Sequence, residues 1–226
     1  DVAVQAVQPA GSGVTVATDR GAIAVKDAII ATNGYTPRGS GGGFAWLARR
    51  VVPFQAYMAA TEILTEAQMD AAIPHRRTVL DSNTNIDFFR PAPDSPRLLF
   101  GGGTGVRRGG FQEIARFLHA LLGRVLPELR AVRLEWVWTG FCAGTFDMMP
   151  HIGGQARIWH GLGYNFAGVP MGTHFGWKLA NLVLGRPEGR SEFGAAPFPT
   201  MPLYSGNPWF VPMAMRYFDW KDGKRI

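Results

Sequence analysis

Cysteine is almost absent from this sequence, since Cys142 is the single one among 226 residues. One thiol cannot build a disulfide framework within the chain or a multi-thiolate metal site. The five histidines also lack the spacing of a zinc-protease helix or a zinc finger. We therefore expect no metal centre, and the lack of disulfides fits a reducing compartment, so we expect a cytoplasmic protein.

Long hydrophobic runs are missing as well. The longest apolar stretches, at 28–32 and 51–60, have the length of a strand, whereas a bilayer-spanning helix needs roughly 18 or more apolar residues. Hydrophobic residues make up 46% of the chain and charged residues only 18%, which is typical of a folded protein and not of a disordered one. We expect a folded chain without a membrane span.

Acidic residues are fewer than basic ones, at 17 against 23, which gives a net charge of +6. A nucleic-acid groove needs a basic stripe with interleaved aromatic residues, and the basic residues here are mostly scattered. We therefore expect no nucleic-acid partner, although a basic nucleic-acid module stays as a third alternative. The positive charge fits an anionic cofactor or substrate better.

Several familiar motifs are absent. Nowhere is G-x-G followed by a third glycine at the spacing of a dinucleotide-binding turn, and the glycines at 101–105 lack the lysine of a phosphate-binding loop. The nucleophile elbow G-x-S-x-G is also missing. These absences exclude the usual signatures of nucleotide hydrolases and serine hydrolases.

Short apolar segments bounded by turn residues predict strands. A hairpin and a third strand are expected within residues 2–25, and 28–32 is apolar on both faces, as in a buried parallel strand. Three short strands between 77 and 101 predict an antiparallel sheet, and 132–138 alternates as a strand with one buried face should.

Helices are predicted at three places. Residues 111–125 place their apolar side chains on one face and end before Pro127, and Thr65 is a suitable N-cap for a short helix. The last helix is expected to run from Pro170 to Leu184. The fold class that follows is α+β / α/β.

Two separated segments carry most of the functional signal. The first is AIIATNGY at 28–35, and the second is the pattern W-x-G…T-x-D-x-x-P-x-I-G at 138–153, which leads to GLGYNFAGVPMGTHFG at 161–176. Weaker features accompany them in the same order along the chain: VVP at 51–53, ATE at 60–62, FFR at 88–90, LLFGG at 98–102 and LPEL at 126–129. Together these segments resemble the D-amino-acid-oxidase-like (DAO) family of FAD-dependent oxidoreductases, which includes glycine, sarcosine and γ-glutamylputrescine oxidases. The resemblance covers nearly all of residues 13–186.

The resemblance implies a division of the chain. Residues 1–48 correspond to the C-terminal part of a Rossmann-like FAD-binding domain, and 138–186 to the return of the chain to that domain. Residues 49–137 correspond to a substrate-binding domain with an antiparallel sheet and the helix at 111–125. The proline-rich segment 187–226 is expected to be an extended C-terminal wrap. Members of the family begin with G-x-G-x-x-G, so we expect this chain to be the C-terminal part of a longer flavoenzyme or one of two chains that make it.

The resemblance also implies a cofactor and the residues that hold it. The second segment would lie against the isoalloxazine ring of FAD, and the helix N-terminus after it would stabilise the negative charge of the reduced ring. Because Gly140 stands where some sarcosine oxidases have a flavin-linked cysteine, we expect non-covalent FAD and a buried filler role for Cys142. The implied cofactor-binding residues are Thr32, Asn33, Gly34, Gly140, Gly163, Tyr164, Asn165, Phe166, Ala167, Gly168, Val169, Pro170 and Met171.

Substrate-binding candidates come from both parts of the chain. Arg90 ends a strand with Phe88 and Phe89, where its guanidinium could clamp a carboxylate, or it is simply a surface residue. Relatives of the glycine-oxidase type have a tyrosine near Phe88, and its absence shifts the expectation towards amines or N-methylated substrates. The remaining candidates, each with a core or surface role as the alternative, are Tyr57, Trp138 and His174.

The expected activity is oxidation of an amine, N-methyl amine or amino acid by hydride transfer to flavin N5, as an oxidase or a dehydrogenase. No catalytic base is named, because an amine that binds in its neutral form does not need one. The alternative is a catalytically silent fragment, or a partner-binding subunit that needs the missing N-terminal FAD segment.

Overall fold

The computed structural model describes residues 1–38, 42–105 and 109–224. The chain folds into two compact units. Unit 1 consists of Asp1–Phe54 and Phe141–Pro208, and unit 2 of Gln55–Gly140 and Trp209–Ile226. Within the described residues, no helix is long and apolar enough to cross a membrane.

Strands and helices are mixed along the chain. The strands are β1 (Val4–Ala10), β2 (Gly13–Thr18), β3 (Gly21–Val25), β4 (Ala28–Ile30), β5 (Val51–Thr61), β6 (Val79–Leu80), β7 (Phe88–Pro91), β8 (Leu98–Gly101), β9 (Leu134–Thr145), β10 (His151–Gln155) and β11 (Ile158–Leu162). The α-helices are α1 (Gly43–Ala48), α2 (Glu66–Ala72), α3 (Phe111–Val125), α4 (Gly168–Val183), α5 (Glu192–Ala195) and α6 (Val211–Lys221). Short 3₁₀ turns occur at Asn33–Tyr35, Pro127–Leu129 and Pro187–Gly189.

Unit 1 contains two three-stranded sheets. Strands β1, β2 and β3 form an antiparallel sheet in that order, with Val7 opposite Val16 and Thr15 opposite Ala24. The other sheet has the order β10-β11-β4, with β10 antiparallel and β4 parallel to β11. The parallel pairing expected for 28–32 is confirmed, but Ile29 is 51% exposed, so only one face of β4 is buried.

The core of unit 1 lies between these sheets and the helices. One cluster joins apolar residues of β1, β2, β4, α1 and β11, including Val7, Ile30 and Leu162. A second cluster packs α4 on the β10-β11 hairpin through Phe175, which is fully buried, and Leu179. The β10-β11 hairpin therefore holds the middle of α4.

A five-stranded sheet of order β6-β7-β8-β5-β9 lies mainly in unit 2, to which residues 55–61 of β5 and 134–140 of β9 belong. Strand pairs β6–β7, β7–β8 and β5–β8 are antiparallel, as expected from the sequence. Helix α3 occupies the predicted bounds and buries its apolar face in the core of this unit, with Leu118 and Leu122 fully buried. The mixed α+β / α/β class is confirmed.

Three local expectations need correction. Helix α4 begins at Gly168 and not at Pro170, which is possible because the first four N–H groups of a helix have no partner inside it, so a proline costs no hydrogen bond there. The segment 187–226 is not extended throughout, since 211–221 form α6. All but one of its prolines precede that helix, and Pro212 lies in its first turn, so the rest of the helix keeps its N–H groups. Trp136, expected on a buried face, is 59% exposed.

Candidate functional site

The loop between β11 and α4 has an unusual backbone. Gly163, Asn165 and Phe166 all adopt positive φ angles, of 73°, 45° and 72°. A left-handed conformation is easy for glycine, tolerated by asparagine and costly for phenylalanine. At Gly163 a side chain would also collide with Thr145, whose Cγ2 lies 2.4 Å from the position of an added Cβ. The sharp turn into α4 therefore needs glycine at 163 and suits asparagine at 165, whereas Phe166 is held there against its own preference.

Asn165 ties the loop to the end of β9. Its side-chain Oδ1 accepts a hydrogen bond from the Thr145 N–H at 3.2 Å, and its Nδ2 donates to the Gly163 carbonyl at 2.6 Å and to Thr145 Oγ1 at 3.3 Å. The Asn165 backbone N–H donates to the Ala143 carbonyl at 3.0 Å. One asparagine thus fixes both the loop conformation and its place on unit 1.

The turn after β4 meets the same loop. The Gly163 N–H donates to Asn33 Oδ1 at 3.0 Å, a contact between residues 130 positions apart. Gly34 is packed under β9 so closely that a Cβ would lie 2.6 Å from the carbonyl oxygens of Phe141 and Cys142. The Phe141 N–H also donates to the Tyr35 hydroxyl at 3.1 Å. The structure therefore brings the first and second sequence segments together.

The N-terminus of α4 is open. No side chain caps it, and its first turn holds no acidic residue. Val169 is 88% exposed and Phe166 is 55% exposed, while the Phe166 ring lies 6.0 Å from that of Phe54. An added Cβ at Gly168 would meet only Tyr164, at 3.8 Å. Free N–H groups and the partial positive charge of the helix make this end suitable for an anionic or electron-rich ring.

Burial and hydrogen bonds set the protonation of the groups around this loop. Burial raises the pKa of the Cys142 thiol, so the thiol stays protonated at neutral pH and is a poor nucleophile. Burial also raises the pKa of Tyr164, whose hydroxyl donates to the Gly161 carbonyl at 2.9 Å. Burial acts to raise the pKa of Asp147 too, but hydrogen bonds from His151 and the Met149 N–H lower it overall. Within the described ranges, no cluster of three or more His, Cys, Asp or Glu side chains could hold a metal ion.

The predicted cofactor-binding residues fall into two groups. Those at 32–34 and 163–171 meet at the loop and helix end described above, in unit 1. Thr32 stands at the start of the Asn33 turn, where its hydroxyl is 2.8 Å from that of Thr36. Gly140 lies in β9 at the border of unit 2, so the structure does not add it to this cluster.

The predicted substrate-binding residues are dispersed. Tyr57 is fully buried in the core of unit 2, which corrects its pocket-lining role, since a side chain enclosed by core residues is not accessible to a substrate. In the same unit Phe88 packs over Gly101, Arg90 is exposed at β7, and Trp138 is 41% exposed on β9. His174 is exposed in unit 1 and lines a cavity of about 790 Å³ formed with β10 and residues 189–195, apart from the 163–167 loop.

Two residues of this site were not among the sequence candidates. The Thr145 N–H donates to Asn165 Oδ1, and the Thr145 hydroxyl accepts from Asn165 Nδ2 and donates to the Met149 carbonyl at 2.8 Å. The Tyr35 hydroxyl accepts a hydrogen bond from the Phe141 N–H. Both lie inside the two sequence segments. Their roles could not be found from spacing, because each depends on a partner distant in the chain.

Comparison with known proteins gives one family. A family model described as DAO, FAD dependent oxidoreductase, matches residues 1–182. The chain is 30% identical over 217 residues to γ-glutamylputrescine oxidoreductase of Escherichia coli K12, covering 92% of this chain and 48% of that protein. It is 29% identical over 197 residues to the probable oxidoreductase OrdL of Haemophilus influenzae, covering 85% and 43%. The chain thus spans slightly less than half the length of these relatives.

Solved structures of similar fold include two oxidoreductases. A crystal structure of glycine oxidase from Geobacillus kaustophilus has a TM-score of 0.65 and 20% identity, and the match covers 89% of this chain and 52% of that one. L-proline dehydrogenase from P. horikoshii has a TM-score of 0.61 and 15% identity, with 94% and 54% covered. At these identities the likeness establishes the fold.

Proposed function

The chain belongs to the DAO family of FAD-dependent oxidoreductases, and from this membership we propose that it is the C-terminal part of an FAD-dependent oxidase or dehydrogenase. Its substrate is an amine, an N-methyl amine or an amino acid. When bound, FAD supplies the acceptor for a hydride from the carbon next to the nitrogen, and the resulting imine is hydrolysed. The role of the chain is to hold the flavin and the substrate in place.

The observation that carries this proposal is the open N-terminus of α4. The helix end has no side-chain cap and no acidic residue in its first turn, and Val169 is almost fully exposed beside it. Gly168 adds no bulk, so a planar ring has room to lie against the backbone. The helix end carries roughly half a positive charge, which stabilises the anionic form of a reduced flavin.

The contacts behind the helix support the same role. Asn33 and Asn165 hold the 163–167 loop by side-chain hydrogen bonds to its backbone, so the loop is preorganised before any ligand binds. In this proposal the residues at 163–171 contact the flavin, while Thr32, Asn33 and Gly34 fix their position. Gly140 remains a prediction from the family resemblance.

The substrate residues of the proposal lie in unit 2. Arg90 presents an exposed guanidinium that suits a carboxylate, and Phe88 and Trp138 offer aromatic surface for an alkyl chain. The E. coli relative is named for the amine γ-glutamylputrescine, which supports an amine substrate here. The location in the cytoplasm stays a prediction from the single cysteine.

A charge substitution at the helix end tests the flavin site. We expect Val169→Glu to weaken FAD binding roughly ten-fold, because a carboxylate beside the helix end offsets its partial positive charge and repels the electron-rich edge of the flavin ring. Val169→Gln has a similar shape without the charge and serves as the matched control. Binding is measured by flavin fluorescence during titration, and thermal unfolding confirms that both variants fold. Equal affinity of the two variants for FAD would contradict the site.

The alternative is a subunit that is catalytically silent alone. It is favoured by one observation, that the chain spans slightly less than half the length of its relatives and lacks G-x-G-x-x-G. A purified chain that is yellow and releases flavin on denaturation supports independent binding. A colourless chain that gains flavin and activity only with a second polypeptide supports the subunit alternative. In that case FAD binding by the Val169→Glu and Val169→Gln variants is measured on the complex of the two polypeptides.

A further inference from the structure

Helix α6 has two apolar faces. Val211 is buried, and Ala214, Met215 and Phe218 are half-buried. The opposite face exposes Met213 at 66%, Tyr217 at 55% and Trp220 at 75%, and Trp209 just before the helix is 59% exposed. We call the residues Trp209, Met213, Tyr217 and Trp220 the α6 stripe.

The spacing of the α6 stripe makes it a continuous surface. Met213, Tyr217 and Trp220 are four and three positions apart, so they lie above one another on one side of the helix. The rings of Tyr217 and Trp220 are 6.0 Å apart. So large an exposed apolar surface on one short helix marks a docking surface.

Basic residues lie on both sides of the stripe. At about 100° per residue, Arg216 falls on one side of the three helical stripe residues and Lys221 on the other. Both side chains are exposed, and neither forms an ion pair with another residue of the described part of the chain. The stripe therefore has cations along both margins.

The acidic residues of the same segment are withdrawn from this face. Asp219 Oδ1 accepts a hydrogen bond from Asn85 Nδ2 at 2.9 Å, and Asp222 Oδ2 accepts from the Thr84 and Asn85 N–H groups at 2.7 and 3.2 Å. Lys224 is buried with its Nζ 3.0 Å from Asp87 Oδ2. These contacts anchor the helix within unit 2 and leave a cationic, aromatic face outward.

From this arrangement we infer that the α6 stripe docks on an anionic lipid surface. Tryptophan and tyrosine favour the interface between hydrocarbon and headgroups, and flanking lysine and arginine bind anionic headgroups. A second copy of the chain is a poorer occupant, because a two-fold contact of stripe on stripe gathers the Arg216 and Lys221 cations of both copies at one interface, and the stripe offers no carboxylate to pair with them. The chain as a whole carries a net charge of +6, which favours the same partner. The inference does not depend on the proposed oxidoreductase activity.

Vesicle co-sedimentation tests the inference. We expect the chain to bind vesicles of phosphatidylcholine mixed with phosphatidylglycerol, to bind phosphatidylcholine vesicles much less, and to lose binding as salt is raised. Replacing Arg216 and Lys221 by glutamine should weaken binding roughly five-fold for each charge removed. Trp220→Ser should abolish most of it, and brominated lipid should quench tryptophan fluorescence in the unmodified chain but much less in this variant.

Matched controls lie on α3 of the same unit. Phe111 is 64% exposed and Arg116 is exposed, so Phe111→Ser and Arg116→Gln remove similar groups away from the stripe and should leave binding unchanged. Thermal unfolding shows whether each variant is folded. Equal binding to neutral and anionic vesicles, or equal loss in the α3 controls, would overturn the inference. So would a concentration-dependent dimer that Trp220→Ser dissociates, because it would assign the stripe to a second copy.

Discussion

Phe166 adopts a backbone conformation that its own side chain disfavours. A left-handed phenylalanine costs about 1 kcal/mol or more, so neighbouring contacts must stabilise it. Those contacts are the Asn165 hydrogen bonds on one side and the Phe54 ring on the other. Strain held by surrounding structure is common where a ligand binds, which agrees with the flavin proposal.

Two glycines of unit 1 should respond oppositely to alanine. At Gly34 a Cβ would lie 2.6 Å from two carbonyl oxygens, so Gly34→Ala should lower the free energy of unfolding by about 1–3 kcal/mol. At Gly172, inside α4, an added Cβ meets nothing within 4 Å, and alanine has a higher helix propensity than glycine. Gly172→Ala should therefore raise the free energy of unfolding by about 0.5–1 kcal/mol. Urea unfolding of both variants measures the difference. Equal effects would mean that the Gly34 turn is not held against β9.

Helices α2 and α4 differ in whether their own residues cap the N-terminus. Helix α2 begins with a reciprocal capping box, in which Thr65 Oγ1 accepts from the Gln68 N–H at 3.2 Å and Gln68 Oε1 accepts from the Thr65 N–H at 2.9 Å. Helix α4 has no cap and depends on Phe175 and Leu179, which bury it against the β10-β11 hairpin. A helix end that lacks its own cap is left open for a ligand.

The α2 cap gives a prediction at the level of the element. Thr65→Ala should lower the free energy of unfolding by about 1 kcal/mol, because the Gln68 N–H loses its acceptor. Thr65→Ser keeps the hydroxyl and should stay within a few tenths of a kcal/mol of the unmodified chain. Chemical denaturation of the two variants measures both values. A serine variant as unstable as the alanine variant would show that the methyl group matters and not the cap.

A half-buried histidine should make the stability of the folded chain depend on pH. His160 lines a cavity of about 520 Å³ in unit 1, with its ring 5.4 Å from Trp46 and 5.9 Å from Phe198. Burial, helped by the positive charges of His151 and Arg50, lowers the pKa of His160 to about 4. The neutral imidazole is therefore the form that the fold accepts.

The sign of the effect follows from proton binding. Between about pH 6.5 and pH 4 the unfolded chain binds a proton at His160 that the folded chain does not, so stability falls as pH falls through this window. The loss should reach about 3 kcal/mol at most. We expect His160→Gln to flatten the dependence of the unfolding free energy on pH in this window. His75→Gln, at an exposed histidine, should leave it unchanged, and an unaltered slope in the His160 variant would contradict the prediction.

The residue pattern alone was sufficient to predict the helices and strands that have strong local signals. The amphipathic face at 111–125, the Thr65 cap and the hairpin near the start of the chain were all predicted and are all present. The two glycine-rich segments were also recognisable, since each is continuous in the chain. Helix α6 was missed, because the prolines before it suggested an extended segment, although a single proline in the first turn is compatible with a helix.

The sequence by itself determined the elements with strong local signals and the family, because both depend on residues close together in the chain. Only the tertiary structure decided that Asn33 meets Gly163, that Tyr57 is a core residue and that Phe166 is held left-handed. Each of these depends on partners far apart in the chain. Such contacts form only when the whole unit packs, and no periodicity or spacing records them.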